Sequence, residues 1–143
     1  MYLVATDGSA VSDTAVEHAA VEASVRDASF EIVHVLIPET EFVGGEIVLA
    51  GDEAATEQGE QTLEQASRVA REAAGEHGDG GIEIRTELLT GRPAEAITEH
   101  ADRRGAAGVY VGHRGLSDRR ERVVGSVAKS VVDKATVPVT VVK

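Results

Sequence analysis

The chain has no cysteine and no tryptophan, and among its 143 residues only two tyrosines and two phenylalanines. Without thiols there is no disulfide framework and no thiolate metal site, a composition compatible with a reducing compartment. With so few aromatics, the core has to be assembled from small and branched aliphatics, and the apolar 42% is rich in alanine and valine. No apolar run approaches the roughly 20 residues needed to cross a bilayer. No N-terminal stretch has the length of a signal peptide, so a cytoplasmic protein is expected.

Positive charge is also scarce. Asp and Glu total 25 against 14 Lys and Arg, for a net charge of −11, and lysine occurs only at Lys129, Lys134 and Lys143. That balance argues against nucleic acid and anionic membranes as partners. Excess carboxylate keeps a protein soluble but makes the compact state repel itself, and salt screens the repulsion. An acidic, lysine-poor chain of this kind resembles proteins of salt-accumulating microorganisms. The expected outcome for a halophilic protein is a melting temperature that climbs from low salt to molar KCl. A flat or falling profile in circular dichroism overturns that reading.

The length suits one domain, 1–143, with one core. Tyr2 to Ala5 reads as a strand ended by Thr6-Asp7-Gly8-Ser9. A helix follows, capped by Ser9 or Ser12, with Val16, Ala19, Ala20 and Ala23 inward. Phe30 to Ile37 is a second strand, nearly continuous in apolar residues and stopped by Pro38. Residues 39–56 have no clear periodicity and are expected as a long loop, mobile or closing as a lid. A second helix runs from about Glu57 to Glu76, with Leu63, Ala66, Val69, Ala70 and Ala73 inward. The third strand, Ile82 to Leu89, alternates Glu83, Arg85 and Glu87, which suits a sheet edge. Pro93 opens a third helix. Gly108 to Val111, Val127 to Lys134 and Val137 to Val142 read as strand, helix and strand. Strands alternating with helices specify an α/β class: a doubly wound, five-stranded parallel sheet with four main helices and right-handed crossovers.

The chemistry concentrates after the fourth strand, at Gly112-His113-Arg114-Gly115 and, nine residues on, Gly125-Ser126. Glycine admits a ligand close to the main chain, and a helix start offers unpaired N–H groups that suit phosphate. On spacing alone, a phosphate cradle and a glycine-rich surface loop both remain open. Arg114, Arg119, Arg120, Arg122 and Lys129 face only Asp118 and Glu121, a local excess of three positive charges in an acidic chain. Guanidinium forks suit phosphate oxygens, and solvated pairing with acidic neighbours is the alternative. His34 lies in an apolar strand and reads as a satisfied core residue. His18, His77 and His100 are scattered on helices and give no metal-ligand spacing. No Ser/His/Asp or lysine constellation for covalent catalysis is visible.

The spacing Gly112-x-x-Gly115, nine residues, Gly125-Ser126 resembles the nucleotide-binding motif of the universal stress protein family. Ala5-Thr6-Asp7-Gly8-Ser9, Gly91-Arg92-Pro93-Ala94-Glu95-Ala96-Ile97 and Val137-Pro138-Val139-Thr140-Val141-Val142 add matches in the right order, over the whole length. The resemblance implies strand order 3-2-1-4-5 and a ligand crevice where that order reverses, between strands one and four. It further implies ATP or another adenine nucleotide as ligand, with or without Mg²⁺. Ala5, Thr6 and Asp7 would meet the adenine and ribose side, and Val35, Val111 and Gly112 the base. Gly115, Gly125, Ser126 and Val127 would hold ribose and phosphates. His113 stands where the family commonly has serine, and would cover a phosphate or the ribose unless it is an inert, exposed loop residue. Arg119 and Arg120 occupy positions that are often apolar in the family. The last strand, Val137 to Val142, implies a homodimer by antiparallel pairing across a two-fold axis. The expected protein is thus a nucleotide-responsive dimeric stress-response module. Its rivals are a dimeric interaction protein that binds no nucleotide, and a slow ATPase, self-phosphorylating or nucleotidyl-transfer enzyme.

Overall fold

Leu3 and Val4 are sequence neighbours, so in a strand they face opposite ways, yet both are fully buried. The same is true of Ile32 and Val33. Strands that are apolar on both sides need helices on both, and this chain supplies them. The computed structural model describes residues 1–38, 40–43, 46–49, 52–77, 82–115 and 124–143. In chain order the elements are β1 (Tyr2–Ala5), α1 (Ala10–Val25), β2 (Phe30–Leu36), β3 (Thr40–Val43), β4 (Glu46–Leu49), α2 (Asp52–His77), β5 (Ile84–Thr90), α3 (Pro93–Arg104), β6 (Gly108–Gly112), α4 (Ser126–Lys134) and β7 (Val139–Val142).

The main sheet is parallel throughout, in the order β5-β2-β1-β6-β7. Counted among these five strands alone, this is the expected 3-2-1-4-5. On one face, Val4, Phe30 and Ile32 meet the alanine stripe of α1 and Leu63, Ala66 and Ala70 of α2. On the other, Leu3, Val33 and Val109 meet Ile97 of α3 and Ala128 and Val131 of α4. Alanine on the helices lets them lie close to the sheet. Each large aliphatic removed from water contributes about 1.5–3 kcal/mol. That sustains a core in which Phe30 is the only fully buried aromatic among the described residues.

Several boundaries and one element differ from the sequence expectation: β2 ends at Leu36 rather than Ile37, and β5 runs Ile84–Thr90 rather than Ile82–Leu89. β7 starts at Val139 rather than Val137, because Pro138 has no N–H to give; its carbonyl instead accepts from Val109 N at 2.9 Å. α2 starts at Asp52, ahead of Glu57. Residues 39–56, expected as a long loop, include two strands and the start of α2. β3 and β4 pair antiparallel, from Thr40 opposite Leu49 to Val43 opposite Glu46. The signal was two short runs of strand formers separated by Gly44-Gly45, a hairpin pattern hidden by its brevity.

The two edges of the sheet differ in character. β5 exposes Arg85, Thr86 and Glu87, whereas β7 carries half-buried Val139 and Val141 around an exposed Thr140.

Candidate functional site

β1 and β6 are central neighbours whose onward connections leave toward opposite faces of the sheet, and a crevice opens beyond their carboxyl ends. Thr6, the first residue past β1, is 5% exposed, and each of its polar groups is occupied. Its N–H donates to Val33 O at 2.9 Å. Its carbonyl lies 2.7 Å from His34 Nδ1. Ser12 Oγ donates to Ser9 O at 2.9 Å, so in the 3.0 Å contact between the two hydroxyls Thr6 is the donor. Gly8 N in turn donates to Thr6 Oγ1 at 3.1 Å. The Thr6 hydroxyl therefore builds the turn, and the residue lines the crevice.

Asp7 follows. One of its oxygens, Oδ1, accepts from Ser9 N at 2.9 Å, the local turn favoured by aspartate after a strand. Ser9 caps α1 by accepting from Ser12 N at 3.2 Å. Negative charge collects on this side. The Asp13 carboxyl, in the first turn of α1, is raised above the ordinary aspartate range by burial first, then by Glu17 and Asp7.

The opposite wall comes from β6 and α4. His113 N donates to Val142 O at 2.7 Å, which extends the β6–β7 ladder, and Gly125 N donates to His113 O. Both ends of the glycine motif are thereby tied to one point. Gly125 is the N-cap of α4 and supplies no side chain to its first N–H groups, which keep the partial positive charge of a helix start. Arg114 extends along this wall, and its Nε is buried without a hydrogen-bond partner among the described residues. A guanidinium nitrogen so placed can be served by a ligand oxygen.

Gly115 closes the gap between the walls. A Cβ built on it would lie 2.5 Å from Asp7 Oδ2, closer than real contacts allow. Two motifs more than 100 residues apart in sequence thus meet across the crevice. The cavity measures about 330 Å³, within the range of roughly 300–1,000 Å³ common for small-molecule sites. Its walls are mainly apolar, with Asp7, Arg114 and Ser126 as the polar exceptions beside His34, Thr6 and Ser12.

Of the residues singled out from sequence, Ala5, Thr6, Asp7 and Val35 line the crevice from the β1–β2 side. Val111, Gly112, Arg114, Gly115, Gly125, Ser126 and Val127 line it from the β6–α4 side. His113 does not line it. Its ring is 8% exposed, with Nδ1 3.3 Å from Val142 O, so the exposed loop histidine expected from sequence is a buried one facing β7. The register that continues the ladder past Gly112 explains the turn inward. Arg119, Arg120 and Arg122 lie outside the described residues. The sequence reading missed His34, Ile37, Pro93, Ile97, Ser12 and Ala128 as wall residues. Pro93 and Ile97 belong to a motif already noted, but their inward position depends on how α3 docks. Among the described residues no group of His, Asp and Glu side chains could hold a metal ion, and no described helix is long and apolar enough to cross a membrane.

Comparison with known proteins bears on this site. The model of the universal stress protein family matches residues 2–143. Universal stress protein MJ0531 of Methanocaldococcus jannaschii is 34% identical over 145 residues, covering 99% of this chain and 80% of that protein. A solved universal stress protein in complex with cAMP is 27% identical with a TM-score of 0.75, over 99% of this chain and 95% of that one. The universal stress protein of Archaeoglobus fulgidus in complex with dAMP is also 27% identical, with a TM-score of 0.74, over 99% of this chain and 96% of that one.

Proposed function

This chain belongs to the universal stress protein family, and from that premise we propose that it binds an adenine nucleotide, ATP or a relative, in the crevice between β1 and β6. The observation that carries the reading is the meeting of Asp7 with Gly115, which joins the acidic turn after β1 to the bare main chain of the glycine motif. Asp7 is suited to accept from ribose hydroxyls, and Val35 and Val111 to pack against the base. The main chain at Gly115, Gly125 and Ser126, with the start of α4, suits phosphate oxygens. Arg114 offers to the same charge a buried Nε–H that has no hydrogen-bond partner among the described residues. Negative charge near Asp13 and Asp7 orients the anion toward α4. The cAMP and dAMP complexes of related proteins support an adenine nucleotide as the ligand class.

Nucleotide present at about 100 times its dissociation constant should stabilise the fold by about 2.7 kcal/mol. Thermal melts with ATP, dAMP and cAMP, with and without Mg²⁺, measure this. If none of these ligands moves the transition, the proposal fails, and the rival that binds no nucleotide takes its place.

The reading includes a cytoplasmic homodimer. β7 is an edge strand with half-buried valines and no strand on its outer side among the described residues, a surface that antiparallel pairing with a second β7 would cover. Light scattering at micromolar concentration in high salt should give twice the monomer mass, and a monomer there removes the dimer.

A further inference from the structure

The β1–β2 ladder runs in register to Ala5 opposite Val33, and its last rung is Thr6 N to Val33 O, 2.9 Å. In a continuing parallel ladder the next rung would run from Val35 N to Thr6 O. The strands part here to open the crevice, and Thr6 O has His34 Nδ1 at 2.7 Å instead. A carbonyl oxygen only accepts, so Nδ1 carries the hydrogen. The ring is held on its other side by α2. A Cβ built on Gly59 would lie 3.3 Å from His34 Cδ2, 3.2 Å from Leu36 Cδ2 and 2.8 Å from Leu88 Cδ1, so α2 rests its main chain against this ring. Thr6 is otherwise fully bonded, and the next residue is Asp7.

We propose that His34 is a positioning residue for ligand binding, whose Nδ1–H replaces the main-chain rung lost where β1 leaves β2 and thereby fixes Asp7 opposite Gly115. This rests on the nucleotide reading of the crevice. A histidine here does two things that an aliphatic core residue cannot. It satisfies a carbonyl that the diverging strands orphan, and it forms part of the wall without closing the gap.

The test compares His34→Asn, His34→Gln and His34→Leu by calorimetric titration with ATP, well below each melting temperature. The asparagine amide nitrogen falls near Nδ1, glutamine places its donor too far out, and leucine has none. H34N should bind within about threefold of wild type. H34L and H34Q should bind roughly 10- to 100-fold more weakly, the scale of an unsatisfied buried carbonyl. A purely space-filling role would leave H34L at least as good as H34N, and that order overturns the proposal. In the same variants without ligand, NMR follows the Gly115 amide and the Asp7 carboxyl carbon. H34N should keep the wild-type shifts, and H34L and H34Q should move both. If wild type binds no nucleotide, the function above fails, and the NMR comparison still decides the role of His34. Unchanged shifts in H34L overturn it.

Discussion

Gly115→Val is expected to weaken nucleotide binding at least 100-fold while the sheet stays folded. The new Cβ would arrive 2.5 Å from Asp7 Oδ2, and two more methyl carbons would extend beyond it. Asp7 has little room to retreat. Its other oxygen accepts from Ser9 N, and the residue before it is bonded at its N–H, carbonyl and hydroxyl. The carboxylate would have to rotate, and the displaced group or the valine would then occupy the space between the walls. The cost to folding is modest, about 1–2 kcal/mol for one lost turn hydrogen bond and a crowded half-buried contact. In a chain of this size that is a fall in melting temperature of about 5 °C. Titration calorimetry and a thermal melt on the same sample separate the two effects. A variant that still binds ATP with wild-type affinity would show that the crevice is not the nucleotide site.

The second large effect lies at the other end of the sheet, away from any ligand. Glu31 on β2 is 3% exposed, with Leu3 beside it on β1 and the exposed Arg85, which pairs with Glu83, beside it on β5. Its carboxylate is met by His100 Nε2 and by Arg104 Nε at 3.0 Å, two residues one turn apart on α3. A buried carboxylate is tolerable only while its partners stay in place, because desolvation is not recovered once one is removed. His100→Leu should therefore lower the unfolding free energy by about 3 kcal/mol. The double change E31L/H100L removes the charge together with its partner, and should return most of that loss, since the Arg104 side chain, 39% exposed, can be served by water. Urea denaturation of wild type, both single variants and the double variant gives the coupling directly. Independent, additive effects would contradict a paired carboxylate. Nucleotide affinity should be the same in all four proteins, because these residues are not part of the crevice.

These two sites show what was legible in the sequence. The motifs that hold Asp7 and Gly115 could be assigned to one crevice from the sequence because the family resemblance implied a strand order that reverses between strands one and four, and both motifs follow those strands. The alanine stripe of α1 was legible because helical spacing leaves little choice of inward face. The pairing of Glu31 with His100 was not, since the partners are 69 positions apart and meet only once α3 docks. Glu31, the one acidic residue in a mostly apolar strand, was the visible hint. His34 read as a satisfied core residue, and it is satisfied, but its partner is a main-chain oxygen, and main-chain groups leave no trace in a sequence. The hairpin β3–β4 was misread because two four-residue strands are too short to display a period.

The contrast between the two sheet edges also limits how copies of this chain can assemble. Of the two edges of the five-stranded sheet, β7 suits a matching strand, while charges at Arg85 and Glu87 on β5 discourage one. In the proposed homodimer, joining like to like would use up the β7 border on each partner, so growth would stop at a pair. An open fibre would need two compatible borders per subunit, and the β5 side withholds the second.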